Sequence, residues 1–141
     1  MPSVNRHVSV VMHMGERFIN RQLAGTGVTA GTAPLLLELR DGGPRNPAGL
    51  ARAVGVDKSH ITRALRSLQG AGYVDVAADE ADARMLIVTL TAAGHRAAGV
   101  AERATLKWLE IVSAGIDPEH LRTVEDVFER FYANGVAHFQ G

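Results

Sequence analysis

Residues 50–74 read LARAVGVDKSHITRALRSLQGAGYV, two short helical patterns that meet at a glycine. In the second pattern Ile61, Ala64, Leu65, Leu68 and Gly72 fall within about a third of the circumference of a helix turning about 100° per residue, an apolar stripe suited to face a core. Ser59, Thr62, Arg63 and Arg66 therefore point outward. Asp57 can cap this helix by accepting an amide of its first turn, and Gly70-Ala71-Gly72 is a natural stop. Ahead of it, Asn46-Pro47 supplies a cap followed by the fixed φ of a first helical position. Leu50, Ala51 and Val54 then form a small apolar face running to Gly55. Glycine takes positive φ without steric cost, so Gly55 lets the chain turn sharply and cross the two helices.

A plain helical hairpin with solvated Arg and Ser side chains has the same periodicity. Charge placement separates the two readings. Residues 45–72 carry Arg45, Arg52, Lys58, Arg63 and Arg66 against Asp57 alone, a local charge of +4 in a chain whose 15 basic and 15 acidic residues cancel. An outward basic face on a neutral protein is suited to meet an anion, and phosphates are the commonest extended one. The neutral total argues against a generic nucleic-acid coat, whose affinity grows with the number of phosphates neutralised. The expectation is a local, oriented contact with double-stranded DNA by a helix-turn-helix.

Working outward, Val4, Val8, Val11, Met12, Phe18, Ile19 and Leu23 recur with helical spacing, Gly15 lies on the same stripe, and Gly25-Thr26-Gly27 ends this first helix. Thr29 or Thr32 can cap the next, which carries Leu35, Leu36, Leu37 and Leu39. Pro34 lies in the helix interior if Thr29 is the cap and in the tolerated first turn if Thr32 is, which favours a late start or a kinked first turn. Asp41-Gly42-Gly43-Pro44 breaks the chain before the helix pair. After Gly72, Tyr73-Val74-Asp75-Val76 alternates apolar and polar toward a polar tip at 78–83, and Met85 to Leu90 returns as a β-rich run. Two strands about a loop form a hairpin, and directly after a helix-turn-helix a hairpin is a wing. Thr91 opens a long helix with Ala97, Ala101, Ala104, Trp108, Ile111 and Val112 among its apolar residues. Asp117-Pro118-Glu119 restarts the chain as a last helix, with Leu121, Val124, Phe128, Phe131 or Tyr132, and Phe139. This segment holds three of the four Phe residues, so together with the first helix it suits a subunit interface.

A length of 141 residues points to one domain, able to bury roughly two-thirds of its unfolded surface without staples. With no cysteine there is no disulfide, thiolate metal site or cysteine switch. No run of about 20 apolar residues occurs, and the start is polar, so neither a membrane span nor a signal peptide is expected, and the protein is expected in the cytoplasm.

Residues 82–91, DARMLIVTLT, read D-x-R-x-x-x-V-x-L-T and are followed by Ala92-Ala93-Gly94. This is similar to the wing signature of the MarR family of bacterial transcription regulators, and the similarity extends upstream through Ser59 to Leu65 and Gly72-Tyr73-Val74. The resemblance implies a mainly α fold with a small β-hairpin, a winged helix-turn-helix with N- and C-terminal dimerisation helices. It places residues 1–141 in a single domain, with a DNA-binding lobe at about 28–91 and dimerisation helices at about 4–25 and 92–139. The helix beginning near Lys58 is then expected in the major groove, with Arg84 reaching the minor groove and Asp82 helping to hold it. Family members are commonly homodimeric repressors of pseudo-palindromic operators, released by small aromatic or phenolic ligands bound between the dimer region and the DNA-reading lobe.

The residues themselves suggest roles. Arg63 or Arg66 can fork onto guanine O6 and N7, Ser59 and Thr62 can bond base edges or phosphate, Lys58 can neutralise a phosphate, and His60 sits on the flank where a phosphate contact fits better than base reading. The wing departs from the family pattern, since Asp75, Asp79, Glu80 and Asp82 stand against Arg84 alone. Asp82 is accordingly expected to pair with Arg84, leaving most affinity to the helix and a narrow-groove preference to Arg84. For an effector, His13, Arg17 and Arg21 on the first helix and Arg40 at the end of the second are the candidate polar groups, an Arg in an apolar cleft suiting a carboxylate. Ordinary surface or intersubunit salt bridges would account for the same residues. His7, His13, His60, His95, His120 and His138 form no H-x-x-x-H pair, so no metal or other cofactor is expected. No nucleophile elbow or catalytic constellation is present to suggest an enzyme. The rival reading is a winged-helix protein-interaction module whose docking surfaces are the acidic wing and the Phe-rich tail.

Overall fold

A computed structural model describes residues 1–140. In chain order the elements are α1 (Pro2–Gln22), α2 (Ala33–Gly42), α3 (Pro47–Val54), α4 (Lys58–Gly70), β1 (Val74–Ala78), β2 (Leu86–Leu90), α5 (Ala92–Ser113) and α6 (Pro118–Gln140). The strands pair antiparallel, Val74 opposite Leu90 and Val76 opposite Val88. This is the mainly helical fold with a hairpin wing that the sequence pattern predicts. Two compact units divide the chain, Met1–Trp108 and the part from Leu109 onward.

In the first unit one core gathers Leu23 and Val28 with Leu35, Leu36 and Leu39 of α2, Leu50 of α3, Ile61, Leu65 and Leu68 of α4, and Val74 and Val88 of the wing. The helix α5 adds only small side chains to it, Ala97, Ala98, Ala101 and Ala104. Of the two caps open for α2, Thr32 holds the position: the helix starts late, with Pro34 harmless in its first turn. Thr32 is buried, and its Oγ1 accepts the Thr29 amide at 3.0 Å, so the loop closes on itself before the helix begins. Asn46 caps α3 through the Gly49 amide at 2.6 Å, and Asp57 caps α4 through the His60 amide at 2.7 Å. Gly55 between them adopts φ 73°, ψ 31°, the left-handed turn that a side chain would oppose. Gly72, expected on the buried stripe of α4, is instead exposed: the helix stops at Gly70, and Gly72 turns the chain toward the wing with φ 80°.

The wing is rooted as well as paired. Arg45 and Val88 exchange backbone hydrogen bonds, Arg45 N–H to Val88 C=O at 3.2 Å and the reverse at 2.7 Å, adding a single bridge on the free side of β2 just before α3. On its other side, Thr91 donates its Oγ1 proton to the Gly72 carbonyl at 2.7 Å and accepts the Gly94 amide at 3.0 Å. A Cβ at Gly94 would lie 2.0 Å from the Tyr73 carbonyl oxygen, so α5 starts in direct backbone contact with the foot of the hairpin.

In α1 only Gly15 is buried; a Cβ there would lie 2.7 Å from the Trp108 indole nitrogen, and the Phe18 ring lies 5.6 Å from that indole. Within the second unit Asp117 accepts the Glu119 amide at 2.8 Å and Pro118 opens α6, as its sequence signals predict. Among the described residues of α6 none is buried, and Val124, Val127, Phe128 and Phe131 form an exposed apolar stripe at i, i+3, i+4 and i+7.

Candidate nucleic-acid interface

The inward stripe of α4 is Ile61, Ala64, Leu65 and Leu68, all buried, so packing fixes the rotation of the helix about its own axis. Lys58, Ser59, Thr62, Arg63 and Arg66 are consequently exposed. Arg63 and Arg66 make no ion pair among the described residues, so both guanidinium forks are presented unengaged. Thr62 differs: its hydroxyl donates to the Lys58 carbonyl at 2.8 Å, which leaves a methyl group and lone pairs facing outward. His60 is half-buried, its ring edge near Gly31 in the loop ahead of α2, so it sits apart from the outward arginines.

Between α3, α4 and the wing lies a groove of about 790 Å³, lined by Ile61, Leu65, Val76 and Leu86 together with Lys58, Arg66 and Arg84. Arg84 is 91% exposed. Its Nε approaches Asp82 Oδ1 at 3.2 Å and its backbone amide donates to the same oxygen at 3.1 Å. These two bonds, the side-chain one first, hold the Asp82 carboxyl below the usual carboxylate range. The pairing of Asp82 with Arg84 anticipated from the sequence is thus present in the structure. Asp79 also serves the loop, accepting the Ala81 amide at 3.1 Å, while its own amide donates to the Met85 carbonyl at 2.7 Å. Two of the four wing acids therefore act as turn formers, which explains much of the acidic composition without assigning it a partner.

The basic cluster is smaller in space than in sequence. Arg45 lies against Glu38 at 2.8 Å and is half-buried, so it braces the α2–α3 corner and leaves Arg52, Lys58, Arg63 and Arg66 as the exposed cations of that stretch. Sequence reasoning missed this role; the available signal was an acid seven residues earlier across a glycine turn.

The candidate effector residues do not converge on one another through any hydrogen bond or ion pair among the described residues. His13 pairs with Glu16 at 3.3 Å, and Arg17 and Arg21 are exposed. Arg40 forks onto Glu102, Nη1 to Oε2 at 3.0 Å and Nη2 to Oε1 at 2.9 Å, while its Nε meets Asp41 at 2.8 Å. The Glu102 and Asp41 bonds keep Arg40 charged well above its ordinary range, and the bond from Arg40 holds each carboxyl below its own. Among the described residues no group of three His, Cys, Asp or Glu is placed to hold a metal ion, and no helix is long and apolar enough to cross a membrane.

Comparison with known proteins places this geometry. The family model for the MarR family matches residues 26–85, from the loop before α2 to the tip of the wing. The chain is 28% identical over 131 residues to an uncharacterized HTH-type transcriptional regulator, YdgG, of Bacillus subtilis, covering 89% of this chain and 86% of that one. It is similar to the crystal structure of a MarR transcriptional regulator from Methanosarcina mazei, with 25% identity, a TM-score of 0.88 and coverage of 97% and 99% of the two chains. The fold is also shared with BpsR of Bordetella bronchiseptica, whose DNA binding is regulated by 6-hydroxynicotinic acid, at 18% identity, a TM-score of 0.80 and 91% of each chain. The winged helix-turn-helix, the matched segment and the full-length likeness agree: residues 26–85 carry a MarR-family match within a fold shared with MarR transcriptional regulators.

Proposed function

We propose that the protein works as a homodimeric repressor that covers a pseudo-palindromic operator and is released by a small aromatic effector. The observation that carries this reading is the exposed face of α4, where Arg63 and Arg66 stand without a partner beside Lys58, Ser59 and Thr62. A helix of 13 residues is about 20 Å long and fits the major groove, where an Arg fork meets guanine O6 and N7. Lys58 and His60 contact phosphates, Ser59 and Thr62 contact base edges or phosphate, and Arg84, held by Asp82, follows the minor groove. Residues 28–91 act as the reading lobe. The second copy is recruited by the terminal helices, at about 4–25 and 92–139, whose exposed apolar side chains include Val8, Val11, Phe128 and Phe131.

The effector reading rests on cationic and imidazole groups of α1 and α2, His13, Arg17 and Arg40. Regulation of BpsR by an aromatic acid supports a ligand of that class. Because the Arg40 fork is occupied by Glu102, a carboxylate effector acting there competes with Glu102 for it. Such a ligand releases DNA only if it binds the non-binding arrangement of the subunits more tightly.

The test is selection of duplexes from a randomised pool, followed by binding measured across salt concentrations. The reading expects a two-fold symmetric site with half-sites about one helical turn apart and log K falling linearly with log salt. Failure to enrich any symmetric site would overturn it.

A further inference from the structure

The helix α5 meets the reading lobe in two different ways. At its start the contact is keyed: Thr91 bonds the Gly72 carbonyl, and Gly94 leaves no room for a side chain against the Tyr73 carbonyl. Farther along, α5 offers the core only the methyl groups of Ala97, Ala98, Ala101 and Ala104. A strip of methyls excludes water but has no ridges deep enough to set an angle, since packed helices fix their crossing by interdigitating side chains. Among the described residues one polar contact between elements lies on this smooth stretch. Arg40, at the last turn of α2, grips both carboxylate oxygens of Glu102 at 2.9 and 3.0 Å, and Asp41 steadies the guanidinium from the other side. Two parallel N–H to O bonds define direction as well as distance.

We propose that Arg40 and Glu102 are positioning residues for DNA binding: their bidentate pair fixes the angle of α5 against the reading lobe and thereby the spacing of the two reading helices in the dimer. The inference rests on the dimeric DNA-binding role proposed above. Glu102 lies eight residues beyond Gly94, about 12 Å along the helix. With the start of α5 pinned, a slip of about 1 Å at Glu102 tilts the helix by about 5°. Over a lever of roughly 17 Å, half the separation of half-sites one turn apart, that tilt displaces each reading helix by about 1.5 Å. Across the pair the mismatch approaches 3 Å, the length of a whole hydrogen bond. A pair that touches no DNA can therefore control how two lobes meet it together.

The experiment compares the wild-type protein with R40Q, E102Q and the exchanged pair R40E/E102R. Each is measured by fluorescence anisotropy on a duplex selected by the wild type, and on duplexes with the central spacer one base pair shorter or longer. Circular dichroism at the assay temperature checks that each protein is folded. The single variants are expected to lose about tenfold on the selected spacing, a typical coupling between separate sites, while losing little on the altered spacers, so that the spacing preference flattens. The slope of log K against log salt stays unchanged, because no phosphate-facing cation is removed. The exchanged pair recovers both affinity and preference. A purely structural role would weaken all three duplexes in parallel with lowered thermal stability, and that result overturns the inference, as does an undiminished preference in folded R40Q. If R40Q is unfolded, the exchanged pair and E102Q carry the same comparison. A wild type that selects no symmetric duplex instead overturns the functional reading beneath it.

Discussion

Replacing Arg66 by alanine separates the reading of α4 as a DNA-contacting helix from every role in folding. Arg66 is exposed and makes no ion pair among the described residues, so the substitution should leave the unfolding free energy within about 0.5 kcal/mol of wild type. In the proposed dimer its effect on DNA binding is counted twice, because a symmetric dimer loses the contact in both half-sites. A bidentate Arg to guanine contact is worth about 1–3 kcal/mol, so the dimer loses about 2–6 kcal/mol, a drop of about 30-fold to about 10⁴-fold. If Arg66 instead meets phosphate, the loss is uniform over sequences and the salt slope falls by about one per protomer. Anisotropy titrations at several salt concentrations, on the selected duplex and on single-base variants of it, distinguish the two cases. Binding within twofold of wild type under every condition, by a protein with unchanged thermal stability, would refute Arg66 as a DNA contact, and the same result for Arg63→Ala would refute the assignment of α4 as the reading helix.

Gly94→Ala should cost about 3 kcal/mol, because its Cβ would lie 2.0 Å from the Tyr73 carbonyl oxygen and backbone must move; thermal denaturation should show a midpoint lower by roughly 10 °C. Arg84→Ala should weaken DNA binding several-fold with little change in stability, since the side chain is 91% exposed and its one ion pair among the described residues is the exposed contact with Asp82; unchanged affinity would remove the wing from the interface. Phe128→Asp should shift the protein toward monomers in sedimentation velocity and abolish tight DNA binding while leaving helix content intact, because it places charge in the exposed stripe of α6. Asp41, Asp82 and Glu102 are held below their usual pKa by hydrogen bonds from Arg40 or Arg84. The stabilisation they supply is complete above their unfolded values, near pH 4, and is lost as pH falls through the lower folded values. Acid titrations followed by circular dichroism should thus be shallower for D41N/D82N/E102Q than for wild type.

Much of the fold was legible because its signals are local. Asn46, Asp57 and Asp117 each cap the helix that their spacing predicts, and α2 takes the late start that Pro34 favours, the other option being a kinked first turn. The outward residues of α4 followed from the same periodicity that buries Ile61, Leu65 and Leu68. Gly72 went the other way, since a wheel cannot tell the last residue of a helix from a residue just past it. The ion pairs were hidden for a different reason. Glu38 and Arg45 meet across a turn, signalled by nothing beyond their short spacing, and Arg40 and Glu102, 62 positions apart, leave no trace in periodicity or composition. Arg40 looked available to a ligand only because its partner lies on an element brought close by the fold. The hydroxyl of Thr62, already committed to Lys58, is likewise visible only in three dimensions.

The rung between Arg45 and Val88 divides the wing into a root and a tip with separate obligations. The root shares hydrogen bonds with the approach to α3 and buries Val74 and Val88 with the reading helix, so any change there is transmitted to α4. The tip, 79–85, is held by its own aspartates and by two backbone bonds, the Asp79 amide to the Met85 carbonyl and the Met85 amide to the Asp82 carbonyl. Its length and charge are free to drift while α4 stays in register, which makes this loop, in the proposed role, the inexpensive place to retune the grip on the flanks of a DNA site.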